Sequence, residues 1–286
     1  MKHAILTAIT VVAVAAGAAA QTGEIRLIIQ GDDMGAAHGI NMGTITAYRE
    51  GILRVTNVIM PGGWVPEAAQ LLRENPGLDV GVHLALTSEW SRVKWRPLTD
   101  APSLVDLNGY FFPMVWPNKN FPAGSSMREA KIDTGEVEKE LRAQIELARK
   151  LMPQVTYMST HMGFSSLSPE VRAVVEKLAQ EYKLPVNPGK ELGIQYLGNV
   201  WTSRDGGPER ADKLAARLSS IGPGTWLMVE HAALDTPETQ AMGHPGYENV
   251  AADRSAVLEA WTSPKVLAVV KQRGIKLVSY RDVLPR

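Results

Sequence analysis

The sequence predicts one α/β domain, an imperfect (β/α) barrel of about seven parallel strands. Short apolar runs alternate with segments of helical periodicity from residue 25 to the C-terminus, an order typical of a parallel sheet covered by helices. The composition shows no break, and 45% hydrophobic and 21% charged residues over 286 residues fit one globular unit. A doubly wound open sheet is the alternative fold.

The predicted strands and helices alternate along most of the chain. Strands are predicted at residues 25–30, 55–60, 79–86, 154–160, 184–186, 225–230 and 275–279. Helices are predicted at residues 39–50, 66–74, 134–152, 208–220 and 254–272, and a further one begins at Pro169 with Ser168 as its cap. This order makes successive βα units, so the strands should run parallel.

The first 20 residues have the pattern of a secretory signal. Lys2 and His3 precede an apolar run that closes in small residues, which predicts cleavage after Ala20 and a mature domain at residues 21–286. We therefore expect a periplasmic or secreted protein with no stable membrane association after cleavage. An uncleaved membrane anchor is the alternative, which the shortness of the apolar run disfavours.

The overall composition limits the classes of partner and chemistry. Thirty basic residues balance thirty acidic ones, so no net charge favours nucleic acid or an anionic membrane, and no nucleic-acid partner is expected. The chain has no cysteine, which excludes disulfides and thiolate chemistry. Stability must therefore come from the apolar core.

Residues 88–131 interrupt the alternation of strands and helices. They are rich in tryptophan, phenylalanine and proline and show no sustained period. The aromatic content disfavours disorder, and so long a loop in a compact domain indicates a functional insertion. Two interpretations stay open: a wall over a functional site, or a satellite aromatic cluster packed on the barrel.

Candidate site residues fall where the predicted strands end. Asp32 and Asp33 follow the first strand, His83 lies near the end of the third, His161 follows the fourth and His231 follows the sixth. These residues should converge, because the carboxyl ends of parallel strands share the face that binds ligands. One carboxylate and two histidines suit a divalent metal, and a second carboxylate provides a base. The set indicates a hydrolase.

Each candidate also has a structural interpretation. His83 lies in an apolar run and is explained equally well as a buried core histidine. Asp32 could cap the helix that follows it, and His161 could be a loop residue. His38 and His244 end no predicted strand, so we expect them at the surface or around the site.

Five motifs occur in a fixed order along the chain. They are DDMG, GVHLALT, STH followed by a proline-started helix, VEH, and LAVVKQRGIKLVSYRDV. Together they resemble the YdjC-like (ChbG) carbohydrate deacetylases, which are distant relatives of the NodB-type polysaccharide deacetylases. The resemblance runs from the first strand to the C-terminus.

The resemblance implies a role for each candidate residue. It makes Asp33, His83 and His161 the ligands of a divalent ion, Mg²⁺ or Zn²⁺. It makes Asp32 the general base, which takes the proton of water, and His231 the general acid, which protonates the leaving amine. The implied activity is metal-dependent removal of N-acetyl groups from an amino sugar or oligosaccharide, in which the ion polarises the acetamide carbonyl and binds water. The aromatic insertion would then supply a stacking wall for sugar rings.

The sequence departs from the family pattern in two places. The family continues its second metal motif with further histidines, whereas Met162, Gly163 and Phe164 follow His161 here. Ala232 stands where the family has proline after the general acid. The first departure removes side chains expected around the metal or the sugar, so it bears on substrate identity.

Two other functions stay open at the level of the sequence. One is a metal-dependent hydrolase acting on another bond, such as a phosphate ester. The other is a non-catalytic carbohydrate-binding relative. The expected small-molecule partner is an N-acetylated sugar, and a homodimer is one oligomeric state that the sequence leaves open.

Overall fold

A computed structural model describes residues 23–189 and 192–284 of the chain. The predicted signal at residues 1–20 lies outside the described residues. Within them, no helix combines the length and apolar character that crossing a membrane requires.

Strands and helices alternate through the described part of the chain. Its strands are β1 (Ile25–Met34), β2 (Val55–Val58), β3 (Asp79–Leu84), β4 (Tyr157–Thr160), β5 (Gln195–Tyr196), β6 (Gly224–Glu230) and β7 (Lys276–Leu277). Its α-helices are α1 (His38–Glu50), α2 (Val65–Glu74), α3 (Thr134–Leu151), α4 (Pro169–Tyr182), α5 (Gly207–Ser220), α6 (Pro237–Gln240), α7 (Val250–Thr262), α8 (Pro264–Gln272) and α9 (Tyr280–Val283). Short 3-10 helices cover Pro102–Leu104, Met127–Glu129 and His161–Ser166.

The strands form one parallel sheet that curls into a half-barrel with the helices around it. The order is β4-β3-β2-β1-β6-β5, and β7 pairs with the first part of β1 at Arg26 and Leu27. β1 lies at the centre and is buried along almost its whole length, as expected for a parallel strand covered on both faces. The predicted imperfect barrel of about seven strands in one α/β domain is confirmed.

The fifth strand is not where the sequence placed it. The predicted strand at residues 184–186 is wrong, since Val186 forms only an isolated bridge with Met158. The observed β5 lies about ten residues later and pairs with β6. Both residues of β5 are exposed at the edge of the sheet, so they carry no apolar pattern that periodicity could detect.

The predicted helix at residues 254–272 is two helices, α7 and α8. Ser263 ends the first helix and begins the second, where its Oγ accepts a hydrogen bond from the backbone N–H of Lys265 at 3.3 Å. Pro264 fills the first position of α8, where the missing N–H does no harm. The ends of the remaining elements, β1 excepted, shift by at most three residues from the prediction.

The insertion at residues 88–131 packs on the barrel. Trp90, Trp95, Phe111 and Phe112 are buried within the main hydrophobic core, which the barrel shares. Glu140 of α3 fastens the segment, since its carboxylate accepts hydrogen bonds from two consecutive backbone N–H groups of the insertion. These four aromatic residues are therefore continuous with the core and do not form a separate satellite cluster.

Candidate active site

A bulge in β1 presents the two adjacent acids. The register between β1 and β2 shifts between Gly31 and Met34, so Asp32 and Asp33 both lie opposite the single residue Asn57. Asp33 has a φ of 75°, a left-handed conformation that is uncommon outside glycine. Side chains alternate between faces along a regular strand, and a bulge breaks that alternation. Two consecutive carboxylates can therefore serve one site.

The bulge also corrects the predicted end of the first strand. We expected the strand to stop at residue 30 and the acids to follow it, whereas β1 continues through both acids to Met34. Apolar periodicity ends where the acids begin, but backbone pairing with β2 does not. The acids lie at the carboxyl end of the strand, as the sequence predicted.

Asp33, His83 and His161 form a buried triangle of ligand atoms. Asp33 Oδ1 lies 3.5 Å from His83 Nε2 and 3.5 Å from His161 Nδ1, and the two nitrogens are 3.3 Å apart. An ion about 2.1 Å from each atom would hold them roughly 3.0–3.4 Å apart. Asp33 Oδ1 is buried and has no hydrogen-bond partner within the described residues. The donor set and spacing fit a divalent ion.

The environment of His83 suits a neutral ligand. Its Nδ1 lies 2.7 Å from Ser159 Oγ, and donation of the Nδ1 proton to that hydroxyl leaves Nε2 free to face the triangle. Burial lowers the pKa of His83 to about 4. The imidazole is therefore uncharged at neutral pH.

His161 is held in the opposite charge state. Its Nε2–H donates to Glu89 Oε2 at 3.0 Å, so Nδ1 faces the triangle. Burial alone would lower the pKa of His161, but Glu89 and Asp33 outweigh it and raise the pKa to about 10. The Trp95 and His161 rings pack in an edge-type arrangement, with their centroids 6.1 Å apart.

The second oxygen of Asp33 contacts a buried arginine. Arg254 Nη2 donates to Asp33 Oδ2 at 2.8 Å, and its guanidinium lies over the Trp90 ring at 5.2 Å. Burial would raise the pKa of Asp33, but Arg254 and His231 hold it well below its usual value. Asp33 therefore stays ionised, with one oxygen left for the triangle.

Asp32 points one oxygen toward the same place. Its Oδ1 accepts hydrogen bonds from Gln30 Nε2 and Asn57 Nδ2, both at 2.7 Å. Its Oδ2 lies 3.9 Å from His83 Nε2. The helix-cap interpretation is wrong, because α1 begins after Ala37 and no side chain caps it. Two amides hold Oδ1, so Oδ2 is the oxygen available for proton transfer.

His231 lies at the mouth of the site, at the end of β6. Its Nε2 is 3.7 Å from Asp33 Oδ2, and 37% of its side chain is exposed. Burial would lower the pKa of His231, but Asp33 outweighs it and raises the pKa above the usual histidine value. The ring can thus hold a proton near neutral pH while still reaching solvent. All five residues selected from the sequence lie in one cluster.

Comparison with known proteins decides the family. The family model described as YdjC-like protein matches residues 26–272. The chain belongs to the YdjC-like family. A protein of Geobacillus stearothermophilus named carbohydrate deacetylase is 28% identical over 260 residues, covering 89% of this chain and 96% of the relative. One of Thermus thermophilus with the same name is 31% identical over 239 residues, covering 76% and 80%.

A solved structure agrees with the fold of this YdjC-like protein. It is a crystal structure from Enterococcus faecalis, described as a candidate cellobiose-phosphate cleavage protein, with a TM-score of 0.71 and 24% identity. The match covers 92% of this chain and 100% of that one. At this identity the similarity supports the fold and nothing further.

The remaining candidate histidines of this YdjC-like protein lie outside the triangle. His38 Nδ1 is 2.8 Å from Glu67 Oε1, beside the half-exposed Trp64 ring. His244 stacks on Trp90 with ring centroids 5.7 Å apart. Neither belongs to the group of ligand atoms formed by Asp33, His83 and His161.

The turn after His161 replaces the further histidines of the family pattern. Met162 and Gly163 both have positive φ, 50° and 65°, so the chain turns sharply as it leaves β4. The Met162 side chain is 41% exposed, and its sulfur accepts a hydrogen bond from Thr87 Oγ1 at 3.4 Å. The triangle of Asp33, His83 and His161 has its three ligand atoms without a histidine at this position.

Sequence reasoning missed several polar residues that hold the cluster. They are Gln30, Asn57, Glu89, Ser159 and Arg254. Two of them had a usable signal. Asn57 is an amide in the middle of an apolar strand, and Ser159 is a polar residue inside the strand that ends directly before His161. The arginine had none, since 221 positions separate it from its partner carboxylate.

Proposed function

We propose that this protein is a metal-dependent carbohydrate deacetylase, which removes N-acetyl groups from an amino sugar or oligosaccharide. The observation that carries the proposal is the buried triangle of Asp33, His83 and His161 with the oriented carboxylate of Asp32 beside it. Membership of the YdjC-like family and relatives named carbohydrate deacetylase support the substrate class. The alternatives, hydrolysis of another bond and sugar binding without catalysis, have no comparable support.

The proposed roles follow from where each group lies. A divalent ion bound by the triangle would supply Lewis acidity toward the acetamide carbonyl and toward water. Asp32 Oδ2 faces the triangle, so it accepts the proton of the attacking water. His231 carries a proton at the mouth of the site and delivers it to the departing amine nitrogen. Two imidazole ligands favour Zn²⁺, and Mg²⁺ is the alternative.

The pattern of residues 1–20 supports a second part of the proposal, export to the periplasm or to the outside of the cell. The N-acetylated sugar would then be met outside the cytoplasm. Mass determination of the protein recovered from the host in which it naturally occurs tests this part. We expect the mass of a chain that begins at Gln21. The mass of a chain that still begins at Met1 would contradict this part of the proposal.

An acetate-release assay tests the activity. We expect acetate from N-acetylated oligosaccharides, loss of activity with chelator, and recovery with Zn²⁺ or Mg²⁺. Asp32→Asn keeps the shape of the side chain but removes the base, so kcat should fall about 10²- to 10⁴-fold. Asp212→Asn is the control, because Asp212 is exposed and pairs with Lys265 on the outer helices.

Two results would contradict the proposal. Full activity of Asp32→Asn in metal-replete buffer would show that Asp32 is not the general base. Release of phosphate from phosphorylated sugars, with no acetate released from any N-acetylated sugar, would favour a metal-dependent phosphate-ester hydrolase.

A further inference from the structure

The side chain of Asn57 makes three hydrogen bonds within the described residues, and all three partners belong to the candidate site or contact it. It lies in β2, fully buried, opposite the bulge of β1. Its Oδ1 accepts from the backbone N–H of Asp33 at 3.2 Å, and its Nδ2 donates to Asp32 Oδ1 at 2.7 Å and to Ser159 Oγ at 2.8 Å. Both amide protons and one carbonyl lone pair are thus used.

The bulge explains why the strand carries an amide here. An extra residue in a bulge leaves part of the hydrogen-bond ladder unpaired, and a buried unpaired N–H is unfavourable. The side-chain oxygen of Asn57 replaces the missing ladder partner of Asp33. A buried amide in an apolar strand would itself be destabilising without full pairing, and here its partners are all polar groups of the site.

The third hydrogen bond extends the contact to a histidine. Ser159 Oγ accepts from Asn57 Nδ2 and lies 2.7 Å from His83 Nδ1. The hydroxyl therefore links Asn57 to the ring nitrogen opposite the one that faces the triangle. The Asn57 amide is therefore connected to the Asp32 carboxylate, to the backbone of Asp33 and, through Ser159, to the ring of His83.

We propose that Asn57 is a positioning residue, which holds the base Asp32 and the ligands Asp33 and His83 in one arrangement. The inference rests on the proposed function, because it assigns the groups that Asn57 positions. A purely structural amide would stabilise the β1–β2 pairing and have no separate effect on metal affinity. The two roles are separated by measuring metal binding at unchanged fold.

Asn57→Asp is the sharpest variant, since it has the same shape. The new side chain keeps an oxygen for the N–H of Asp33, but it loses both donors and brings an oxygen against Asp32 Oδ1. We expect the Kd for Zn²⁺ to rise about 10- to 100-fold, the range typical of lost outer-shell partners. We also expect kcat to fall while KM changes little, because Asn57 lies behind the carboxylates.

The measurement is calorimetric titration of the metal-free full chain with Zn²⁺, together with the visible spectrum of the Co²⁺-loaded protein. Circular dichroism and thermal melting verify the fold. Asn75→Asp is the matched control: Asn75 is a buried amide that donates to Leu71 O and accepts from Arg49 Nε at the end of α2. It should change stability and leave the Kd for Zn²⁺ and the Co²⁺ spectrum as in the wild type.

Ser159→Ala provides a second variant if Asn57→Asp does not fold. It removes the hydroxyl that accepts from Asn57 Nδ2 and pairs with His83 Nδ1. The hydrogen bonds of Asn57 to Asp32 and Asp33 are left, so the Kd for Zn²⁺ should rise while the carboxylates stay in place. Wild-type affinity and an unchanged Co²⁺ spectrum in a folded Asn57→Asp protein would overturn the inference and leave the proposed function standing. If Asn57→Asp is unfolded, wild-type affinity and an unchanged Co²⁺ spectrum in Ser159→Ala would overturn the inference. No binding of Zn²⁺ by the wild type would refute the metal site itself, and with it this role.

Discussion

His83 and His161 have opposite pKa shifts although their facing nitrogens are only 3.3 Å apart. Burial lowers the pKa of His83 to about 4. His161 is equally buried, but Glu89 and Asp33 raise its pKa to about 10. At neutral pH the metal-free triangle therefore contains one neutral imidazole and one imidazolium. Metal ligands must be deprotonated, so only His161 has to lose a proton.

This difference predicts proton release on metal binding. At pH 8, between the folded pKa of about 10 and the ordinary histidine value, about one proton should leave His161 for each Zn²⁺ bound. Calorimetric titrations in buffers of different ionisation enthalpy measure this number. Glu89→Gln removes the negative partner, lowers the pKa of His161 and should reduce the number released. Equal release from the wild type and Glu89→Gln would contradict the assignment.

The five main site residues were predictable because each is a reactive residue type at the end of an apolar strand. The residues that position them were not, because their partners are distant in the chain. Glu89 lies 72 positions from His161, and Asn57 lies 102 positions from Ser159. A single sequence contains no periodicity that links such pairs. Their residue types become informative only when the sheet places them face to face.

At the scale of the element, apolar pattern predicted where strands exist better than where they end. β1 extends beyond its apolar run because its last residue, Met34, still pairs with β2. The left-handed φ of Asp33 allows the bulge between the two paired regions. β5 was misplaced because two exposed residues carry no burial signal. Backbone pairing decides both cases, and pairing is a property of two strands rather than one.

The insertion at residues 88–131 serves both the core and the site. Its start supplies Glu89, the partner of His161. Trp95 contacts the same histidine, and its indole N–H donates to Thr87 O at 2.9 Å. Trp116, by contrast, is 45% exposed. One part of the segment is therefore fixed by packing, whereas the Trp116 ring reaches solvent and has the Arg128 guanidinium over it at 5.8 Å.

Two tryptophan variants should separate these parts. Trp95→Ala removes a buried ring and should lower the free energy of unfolding by about 3–5 kcal/mol. Trp116→Ala should change it by only about 0.5 kcal/mol, as for an exposed side chain, and should raise KM if sugar stacks on that ring. Urea unfolding and steady-state kinetics measure the two effects. Equal destabilisation by both variants would show that the insertion packs as one unit.

At the scale of the whole molecule, the C-terminal segment packs against the end of the sheet opposite the site. β7 pairs with the start of β1, and the Arg281 side chain of α9 pairs with buried Asp79 of β3 at 2.9 Å. Tyr280 packs edge-on against Tyr157, with ring centroids 4.7 Å apart. β7 and α9 together thus contact three strands, β1, β3 and β4, which carry or lead directly to the site residues.

Tyr280 also connects that helix to Asp32, the proposed base. Its hydroxyl donates to Gln30 Oε1 at 2.8 Å, and Gln30 Nε2 donates to Asp32 Oδ1 at 2.7 Å. Burial raises the pKa of Tyr280, so the hydroxyl remains a donor at all ordinary pH values. A donor at this position requires the carbonyl oxygen of Gln30 to face Tyr280. The amide nitrogen must then face Asp32.

Tyr280→Phe should therefore lower kcat by roughly tenfold. Misplacing a catalytic group by 1 Å costs about 10²-fold in rate, and the loss of one orienting hydrogen bond should move Asp32 by less than that. KM should be unchanged, because no substrate contact is removed, and the free energy of unfolding should fall by about 1 kcal/mol. The control is Tyr182→Phe, whose lost hydroxyl donates to Glu146 Oε1 and accepts from Arg142 Nη1, away from the candidate site. It should lose stability with unchanged kcat. Steady-state kinetics and urea unfolding on both variants distinguish the effects. If kcat falls no further in Tyr280→Phe than in Tyr182→Phe, the C-terminal helix supports the sheet alone and Gln30 orients Asp32 without it.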